Sequence, residues 1–351
     1  MLQTDLANAT AARKADHLRI NVEEDVAAKG VTSGFERWRF DHCALPEIDL
    51  EDVDCSTSLF GRAMRAPLLI SCMTGGTGEA REINRRLARV AQRCGLGMGV
   101  GSGRVLLEHP ELLDTFDVRD EAKDVPLLAN IGAVQLNRGY GVEDCRRLTE
   151  MLRADALVLH LNAVQEAVQL EGDTCFSGLL EKIARLCEAL ETPVVVKEVG
   201  WGIAPDEVVR LLDAGVRGVD LAGAGGTSWS EVERKRLDEP RRRNVAAAFA
   251  GWGIPTAEAL ARARKAAPGA LLVASGGIVD GIDVAKAIAL GADAVGIAGA
   301  FLRTAARGEE EAESFAWELT STLRIAMFAT GSATLRALRT TSRLRRAEPS
   351  T

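Results

Sequence analysis

The chain has few aromatic residues and no long uncharged segment. Phe, Trp and Tyr together make up 4% of its 351 residues, and there is one tyrosine. The longest uncharged runs, such as 244–257, are shorter than the roughly 20 residues that a membrane helix needs. Residues 1–17 lack the apolar core of a signal peptide. We therefore expect a cytoplasmic protein with no membrane partner.

Paired cysteines and an excess of positive charge are also missing. The seven cysteines are scattered, without a C-x-x-C pair or a matching histidine spacing, which argues against a zinc site and a disulfide framework. The 43 Lys and Arg residues are outnumbered by 50 Asp and Glu residues, for a net charge of −7. A nucleic-acid partner is not expected from this balance.

A regular alternation of strand and helix patterns begins at Pro67. Short apolar runs separated by amphipathic helical patterns are typical of a parallel sheet that is buried on both faces. Eight such units in about 250 residues is the number found in a (β/α)8 TIM barrel, and we predict this α/β fold over a doubly wound open sheet. The predicted strands are 67–73, 95–102, 126–132, 156–162, 193–199, 218–224, 271–277 and 294–302.

The chain divides into three predicted parts. Residues 1–60 precede the alternation and form an N-terminal extension, and residues 61–335 form the barrel. The longest gap, between strands six and seven, predicts a helical insertion around 228–238 and 244–265. Residues 336–351 carry five arginines and are predicted to be a basic C-terminal tail.

The densest group of polar residues follows the fourth predicted strand. His160 and Asn162 share one face because side chains alternate along a strand, and Gln165 and Glu166 are expected in the turn beyond. In a TIM barrel the active site is formed by strand C-termini and the loops after them. The other strand ends supply further candidates, namely Met73, Thr74, Gly75, Gly76, Ser102, Arg104, Asn130, Lys197, Thr227, Gly276, Gly277, Ile278, Ala298 and Gly299.

Two of these positions indicate the kind of ligand. The Ser-Gly-Gly of 275–277 follows strand seven, where barrels of this class bind phosphate through backbone N–H groups. Lys197 lies among valines, where an unpaired ammonium is costly, and the side chain of Glu198 points to the opposite face. A cation beside a flavin favours its anionic reduced form, so we expect a planar phosphorylated ligand of this type.

Seven motifs in one order give the chain a family resemblance. They are RKADH (13–17), MTGGT (73–77), GVGSGR (99–104), HLNAVQE with LEGD (160–166 and 170–173), VVVKEVGWGI (194–203), GAGGTSW (223–229) and SGGI (275–278). Together they resemble the FMN-dependent type 2 isopentenyl-diphosphate isomerases, from about residue 13 to about residue 340. The chain differs from the family pattern at Gly103, where Gln is frequent, and at Leu170, where Pro is usual.

The resemblance implies an isomerase of isoprenoid biosynthesis that interconverts isopentenyl and dimethylallyl diphosphate with reduced FMN and Mg²⁺. NADPH is the implied reductant and a homo-oligomer, from dimer to octamer, the implied assembly. The N-terminal extension is expected to cover the barrel mouth. Gln165 and His160 are the implied catalytic residues, and Glu166 the implied Mg²⁺ ligand. Substrate binding is implied for Arg13, Lys14, His17, Ser102, Arg104, His160, Asn162 and Gln165. FMN binding is implied for Met73, Thr74, Gly75, Gly76, Ser102, Asn130, Lys197, Thr227, Gly276, Gly277, Ile278, Ala298 and Gly299.

Three other functions are compatible with a barrel of this kind. A 2-hydroxyacid oxidase needs a histidine near the end of strand seven, but all four histidines precede residue 161, and an inosinate-dehydrogenase-like enzyme needs a cysteine that the strand-two and strand-six loops lack. A non-catalytic FMN-binding redox sensor has no need of Arg13, Lys14, Gln165 or Glu166, and all four are present.

Overall fold

A computed structural model of the chain describes the backbone of residues 2–347 and the side chains of residues 12–347. Its centre is a closed barrel of eight parallel strands, which confirms the predicted TIM barrel. The strands are β1 Trp38–Phe40, β2 Thr57–Leu59, β3 Arg62–Met64, β4 Leu68–Ile70, β5 Gly97–Gly99, β6 Leu127–Gly132, β7 Ala156–Leu161, β8 Val194–Glu198, β9 Gly218–Asp220, β10 Leu271–Ser275, β11 Ala294–Ile297 and β12 Leu344–Arg346. The barrel runs from β4 to β11, and β11 closes it by pairing with β4.

Helices cover the outside of the barrel and supply its extensions. They are α1 Leu2–Glu23, α2 Gly78–Cys94, α3 Arg104–Glu108, α4 Val142–Met151, α5 Ala163–Val168, α6 Leu179–Ala189, α7 Pro205–Asp213, α8 Trp229–Arg236, α9 Pro240–Ala248, α10 Thr256–Ala266, α11 Gly281–Ala289, α12 Gly299–Arg307, α13 Glu309–Phe328 and α14 Leu335–Arg339. Short 3-10 helices occupy Phe35–Arg37, Leu50–Asp52, Pro110–Thr115 and Ala133–Arg138. None of the helices in the described part of the chain is long and apolar enough to span a membrane.

Two layers of apolar side chains hold the fold together. The larger core lies between the strands and the surrounding helices. A smaller cluster fills the barrel interior and includes Leu69, Leu128, Val158, Val195 and Val273. Each comes from a different strand, so these side chains make the interior a packed core rather than a pore.

The helical insertion between β9 and β10 is present, but it is divided differently from the prediction. The pattern of 244–265 predicted one helix, whereas α9 ends at Ala248 and α10 begins at Thr256. Gly251, Gly253 and Pro255 lie between them, and Gly253 has a φ of 116°, which a helix does not allow.

The eighth predicted strand, 294–302, was too long. The strand β11 ends at Ile297, and Phe301 and Leu302 are buried on one side of α12. A short apolar run does not by itself separate a buried strand from a buried helix, and here it contains parts of both.

The two chain ends pack onto the barrel. The helix α1 lies against α8 and α12, over the loops that follow β9 and β11. The hairpin of β2 and β3 carries Phe60, which packs on the interior cluster. The predicted tail contains most of α14 and then β12, which pairs with β1. Residues 348–351 of that tail lie outside the described part of the chain.

Candidate active site

A cavity of about 620 Å³ lies at the C-terminal ends of the barrel strands. Its lining comes from strand-end loops around the barrel and from α1. Of the site residues predicted from the sequence, all except Gly76 line it. Gly76 lies just behind the lining, where its φ is 91° and its N–H donates to Thr115 Oγ1 over 3.0 Å.

Three cations converge at the mouth of the cavity. Arg13 and Lys14 are on α1, and Arg104 begins α3. Burial, with the positive charge of Arg104 and Arg13, lowers the pKa of Lys14 to about 7. Burial and the charge of Arg104 also lower the pKa of Arg13. Because these cations destabilise one another, a polyvalent anion is the ligand that their arrangement favours.

His160 is held as a neutral imidazole. Its Nδ1 lies 2.9 Å from Asn130 Oδ1. Burial, followed by the charges of Lys197 and Arg104, lowers the pKa of His160 to about 4. Since the amide oxygen can only accept, Nδ1 carries the proton and Nε2 is left as a hydrogen-bond acceptor.

Gln165 and Glu166 were expected in a turn, but they lie in the short helix α5, which follows β7 after only Asn162. This places both side chains back toward Asn162. Its Nδ2 donates to Gln165 Oε1 over 3.1 Å and to Glu166 Oε1 over 2.8 Å. Asn162 Oδ1 is buried and has no hydrogen-bond partner in the described part of the protein.

The Glu166 carboxylate is fixed by its own surroundings. Its Oε2 accepts hydrogen bonds from Gln169 Nε2 over 2.5 Å and from Asp173 N over 2.6 Å. Three donors therefore hold the carboxylate, and since its two oxygens have about four acceptor positions, one remains for a ligand.

Glu233 on α8 was missed by the sequence analysis. Its Oε1 accepts from Gln165 Nε2 over 3.0 Å and lies 2.9 Å from His17 Nε2, and its Oε2 accepts from Arg236 Nη1 over 2.7 Å. Burial alone would raise the pKa of the Glu233 carboxyl, but these hydrogen bonds and the charge of His17 lower it to about 2. In the sequence, Glu233 is one glutamate in a charged helical segment, and no pattern there distinguishes it.

Lys197 projects into the barrel, as its place in β8 predicted. Its Nζ donates to the carbonyl oxygen of Glu198 over 2.6 Å, whereas the Glu198 carboxylate turns away and accepts the N–H groups of residues 199–201. Asp220 is the register partner of Lys197 on β9. Its carboxylate accepts from Ser275 Oγ over 2.5 Å, and burial raises its pKa against the opposing charge of Lys197.

The residues at the strand ends fit a flavin monophosphate. The helix α12 begins at Gly299, and no side chain caps its N-terminus. A Cβ at Gly299 would lie 3.1 Å from Arg303 Nη1 and 3.5 Å from Thr227 Oγ1, so a guanidinium and a hydroxyl flank these free N–H groups. Such a set of donors suits a phosphate. Ser71 Oγ, which also lines the cavity, is buried without a partner among the described residues.

The backbones after β9 and β10 pack too closely for side chains. A Cβ at Gly226 would come within 2.5 Å of Gly277 N, and one at Gly277 within 2.5 Å of Gly225 O. Gly277 also has a φ of 68°. Glycine is therefore required in both loops, whatever ligand they hold.

The described side chains could hold Mg²⁺ only together with oxygen atoms of a bound ligand. Across residues 12–347 no group of three or more His, Cys, Asp or Glu side chains is arranged to hold a metal ion. Glu166 lines the cavity and offers a carboxylate, and Mg²⁺ commonly takes one or two carboxylates together with phosphate oxygens and water.

The structure explains the departure from the family pattern at Gly103 and places the one at Leu170 on the surface. A Cβ at Gly103 would lie 2.5 Å from Leu148 Cδ1, so the Leu148 side chain occupies the space that a larger residue needs. Leu170 is 57% exposed, and it follows the Gln169 that holds Glu166.

Comparison with known proteins places the chain first in a broad class. Residues 7–106 and 144–345 match the family model described as FMN-dependent dehydrogenase. A mandelate oxidase variant with a monooxide FMN adduct has a TM-score of 0.62 at 20% identity, covering 94% of this chain and 91% of that chain. A mandelate oxidase with (S)-2-phenylpropionate gives 0.64 at 19% identity over 98% of each chain. The chain is thus a member of the FMN-dependent dehydrogenase family, and it shares the fold of these oxidases.

Closer relatives define the group within that class. The isopentenyl-diphosphate delta-isomerase of Nostoc sp. is 50% identical over 337 residues, which is 96% of each chain. The enzymes of the same name from Synechococcus sp. and Stutzerimonas stutzeri are 53% and 51% identical over 93% of this chain, covering 94% and 95% of their own lengths. The chain belongs to the isopentenyl-diphosphate delta-isomerase family.

Proposed function

We propose that this protein interconverts isopentenyl and dimethylallyl diphosphate, using reduced FMN and Mg²⁺, as a step of isoprenoid biosynthesis. The observation that carries the proposal is the cluster of Arg13, Lys14 and Arg104, which is a second anion site beside the one at α12. An oxidase of a small hydroxy acid has no need of a polyvalent anion site at the mouth. The 50% identity to enzymes named for this reaction supports the same conclusion.

The chain's residues divide into two groups. The residues that would hold FMN are Met73, Thr74, Gly75, Gly76, Ser102, Asn130, Lys197, Thr227, Gly276, Gly277, Ile278, Ala298 and Gly299, and Arg303 joins them at the phosphate. When bound, reduced FMN supplies negative charge and a group that exchanges protons beside the substrate alkene. Lys197 stabilises that negative charge. NADPH is the proposed reductant.

The second group of residues would hold the substrate. Arg13, Lys14 and Arg104 would bind the diphosphate, and Glu166 would hold Mg²⁺, which would supply positive charge to the same anion. His160 is neutral, so it places no positive charge beside a developing carbocation. The Gln165 amide is a weak acid and base, and we assign it to positioning the five-carbon chain. His17, Ser102 and Asn162 complete the substrate side.

Replacing Arg13 with Ala is expected to raise the KM for isopentenyl diphosphate. Charge-assisted hydrogen bonds of this kind are worth about 1.5–3 kcal/mol, and the low end, roughly tenfold in KM, applies because Lys14 and Arg104 remain. The FMN content, measured by absorbance after heat release, should equal that of the wild type. An unchanged KM in the Arg13→Ala, Lys14→Ala double variant would show that α1 is only a solvated helix.

Replacing Glu233 with Gln is expected to lower kcat about tenfold, the effect of losing a hydrogen bond to a charged group. The glutamine amide has one accepting oxygen and a donating NH₂ group, so it cannot accept from Gln165 and His17 on one side and from Arg236 on the other. Glu231→Gln is the matched control, because Glu231 is equally buried on α8 but pairs with Arg234. Equal kcat in the two variants would contradict a role for Glu233 in positioning Gln165.

Assembly and compartment are also proposals. Large apolar side chains remain exposed on α13, including Trp317 at 68% and Ile325 at 55%, which supports a homo-oligomer of two to eight copies. All seven cysteines are free, and this supports a reducing cytoplasm.

One experiment tests the function as a whole. The purified protein is expected to be yellow, to release FMN on heating, and to isomerise isopentenyl diphosphate only with Mg²⁺ and after reduction. Release of FAD would show that the cofactor site is misassigned. A bound FMN without isomerase activity in the reduced state would favour the redox sensor, and turnover of lactate or mandelate would favour an oxidase.

A further inference from the structure

Phe116 lies between the substrate side and the cofactor side of the cavity, although it lines neither. Its side chain is fully buried. The ring rests directly on Gly75 of the 73–76 loop, since a Cβ at Gly75 would lie 2.0 Å from a ring carbon. The Lys14 ammonium is over the same ring, 5.0 Å from its centroid. One aromatic ring therefore contacts both α1 and the loop assigned to FMN.

The segment that carries Phe116 is tied to the same loop by hydrogen bonds. Asn84 on α2 is buried, and its Nδ2 donates to Thr74 O over 3.2 Å and to Thr115 O over 3.0 Å. Gly76 N donates to Thr115 Oγ1. Phe116 follows Thr115 directly, so the backbone that carries its ring is tied to the loop.

Lys14 depends on this ring because it has no acidic partner. Its Nζ donates to the carbonyl oxygen of Ser102 over 3.1 Å, and in the described part of the chain it forms no ion pair. Its strongest charged neighbours, Arg104 and Arg13, repel it, and the attraction of Glu108 is weaker than either repulsion. The negative face of an aromatic ring attracts an ammonium most strongly where water is excluded, which is the situation of Lys14.

We propose that Phe116 is a positioning residue for Lys14: its ring holds the ammonium beside the 73–76 loop, where it meets the diphosphate of the substrate. The inference rests on the proposed function and extends it to a residue that touches neither substrate nor cofactor. The contact adds to those that hold α1 over the mouth of the cavity, such as the contact of His17 with Glu233.

The test is a double-mutant cycle on the FMN- and Mg²⁺-loaded protein, with inorganic pyrophosphate as the probe and isothermal titration calorimetry as the measurement. Phe116→Leu keeps an apolar side chain but removes the ring. We expect it to weaken pyrophosphate binding about 2- to 30-fold, the range of a cation–π contact. In a Lys14→Met background the same change should alter binding less than about twofold. Isopentenyl diphosphate turnover should show the loss in KM, with kcat nearly unchanged.

Two further variants serve as a control and as an alternative to Phe116→Leu. Phe35→Leu removes a ring that is equally buried but has no ammonium or guanidinium over it in the described part of the chain, and it should leave pyrophosphate binding unchanged. Phe116→Met provides a second ring-free side chain if the leucine variant folds poorly. Equal losses with and without Lys14 would overturn the proposal and make Phe116 a packing residue only. Failure of the wild type to bind pyrophosphate at all would instead count against the proposed function.

Discussion

Gln165→Asn is expected to lower kcat for isopentenyl diphosphate by about 10²–10³-fold, the cost of removing one preorganised side-chain amide from an active site. Gln165 is nearly buried, and its amide is fixed at both ends, by Asn162 at Oε1 and by Glu233 at Nε2. Asparagine is one methylene shorter, so it cannot keep both hydrogen bonds and reach the same point in the cavity.

The defect should appear in kcat and in kcat/KM together, because an interaction made mainly in the transition state affects both. Steady-state kinetics at saturating Mg²⁺ measure it, and FMN content and the Mg²⁺ dependence should match the wild type. Gln92→Asn on the surface of α2 is the control for the same chemical change. A normal kcat in Gln165→Asn would remove Gln165 from the catalytic residues.

Glu166→Gln is expected to fail in a different way, through the metal. We expect the Mg²⁺ concentration needed for half-maximal activity to rise by about 100-fold or more, because even partners of a metal ligand commonly contribute 10- to 100-fold to metal affinity. Excess Mg²⁺ should partly restore kcat. A titration of activity against Mg²⁺ measures the shift.

The variant should keep its fold, because the surrounding hydrogen bonds can adapt. The oxygen of a glutamine amide can still accept from Gln169 and Asp173, so only the hydrogen bond from Asn162 Nδ2 is lost. Glu166 is proposed as a metal ligand and Gln165 as a positioning group. Identical kinetic defects in Glu166→Gln and Gln165→Asn would contradict these separate roles. Unfolding of either variant would show that residues 160–166 have a structural role.

The periodicity of the sequence determined the barrel. Eight apolar runs are set by local residue order, and a closed barrel buries both faces of eight near-equal parallel strands. The same periodicity placed His160 and Asn162 on one face, and it separated Lys197 from the carboxylate of Glu198. Motif order then indicated the family, which the relatives confirm. The site roles given to individual residues stay predictions.

The tertiary structure alone decided which distant residues support these groups. Glu233 lies 216 residues from His17 and 68 from Gln165, and Lys14 lies 88 residues from Ser102. No local pattern encodes such pairs, because they arise when α1 and α8 pack over the closed barrel. The role of Phe116 is hidden for the same reason: in the sequence it is one more apolar residue, and only its contacts with Gly75 and Lys14 distinguish it.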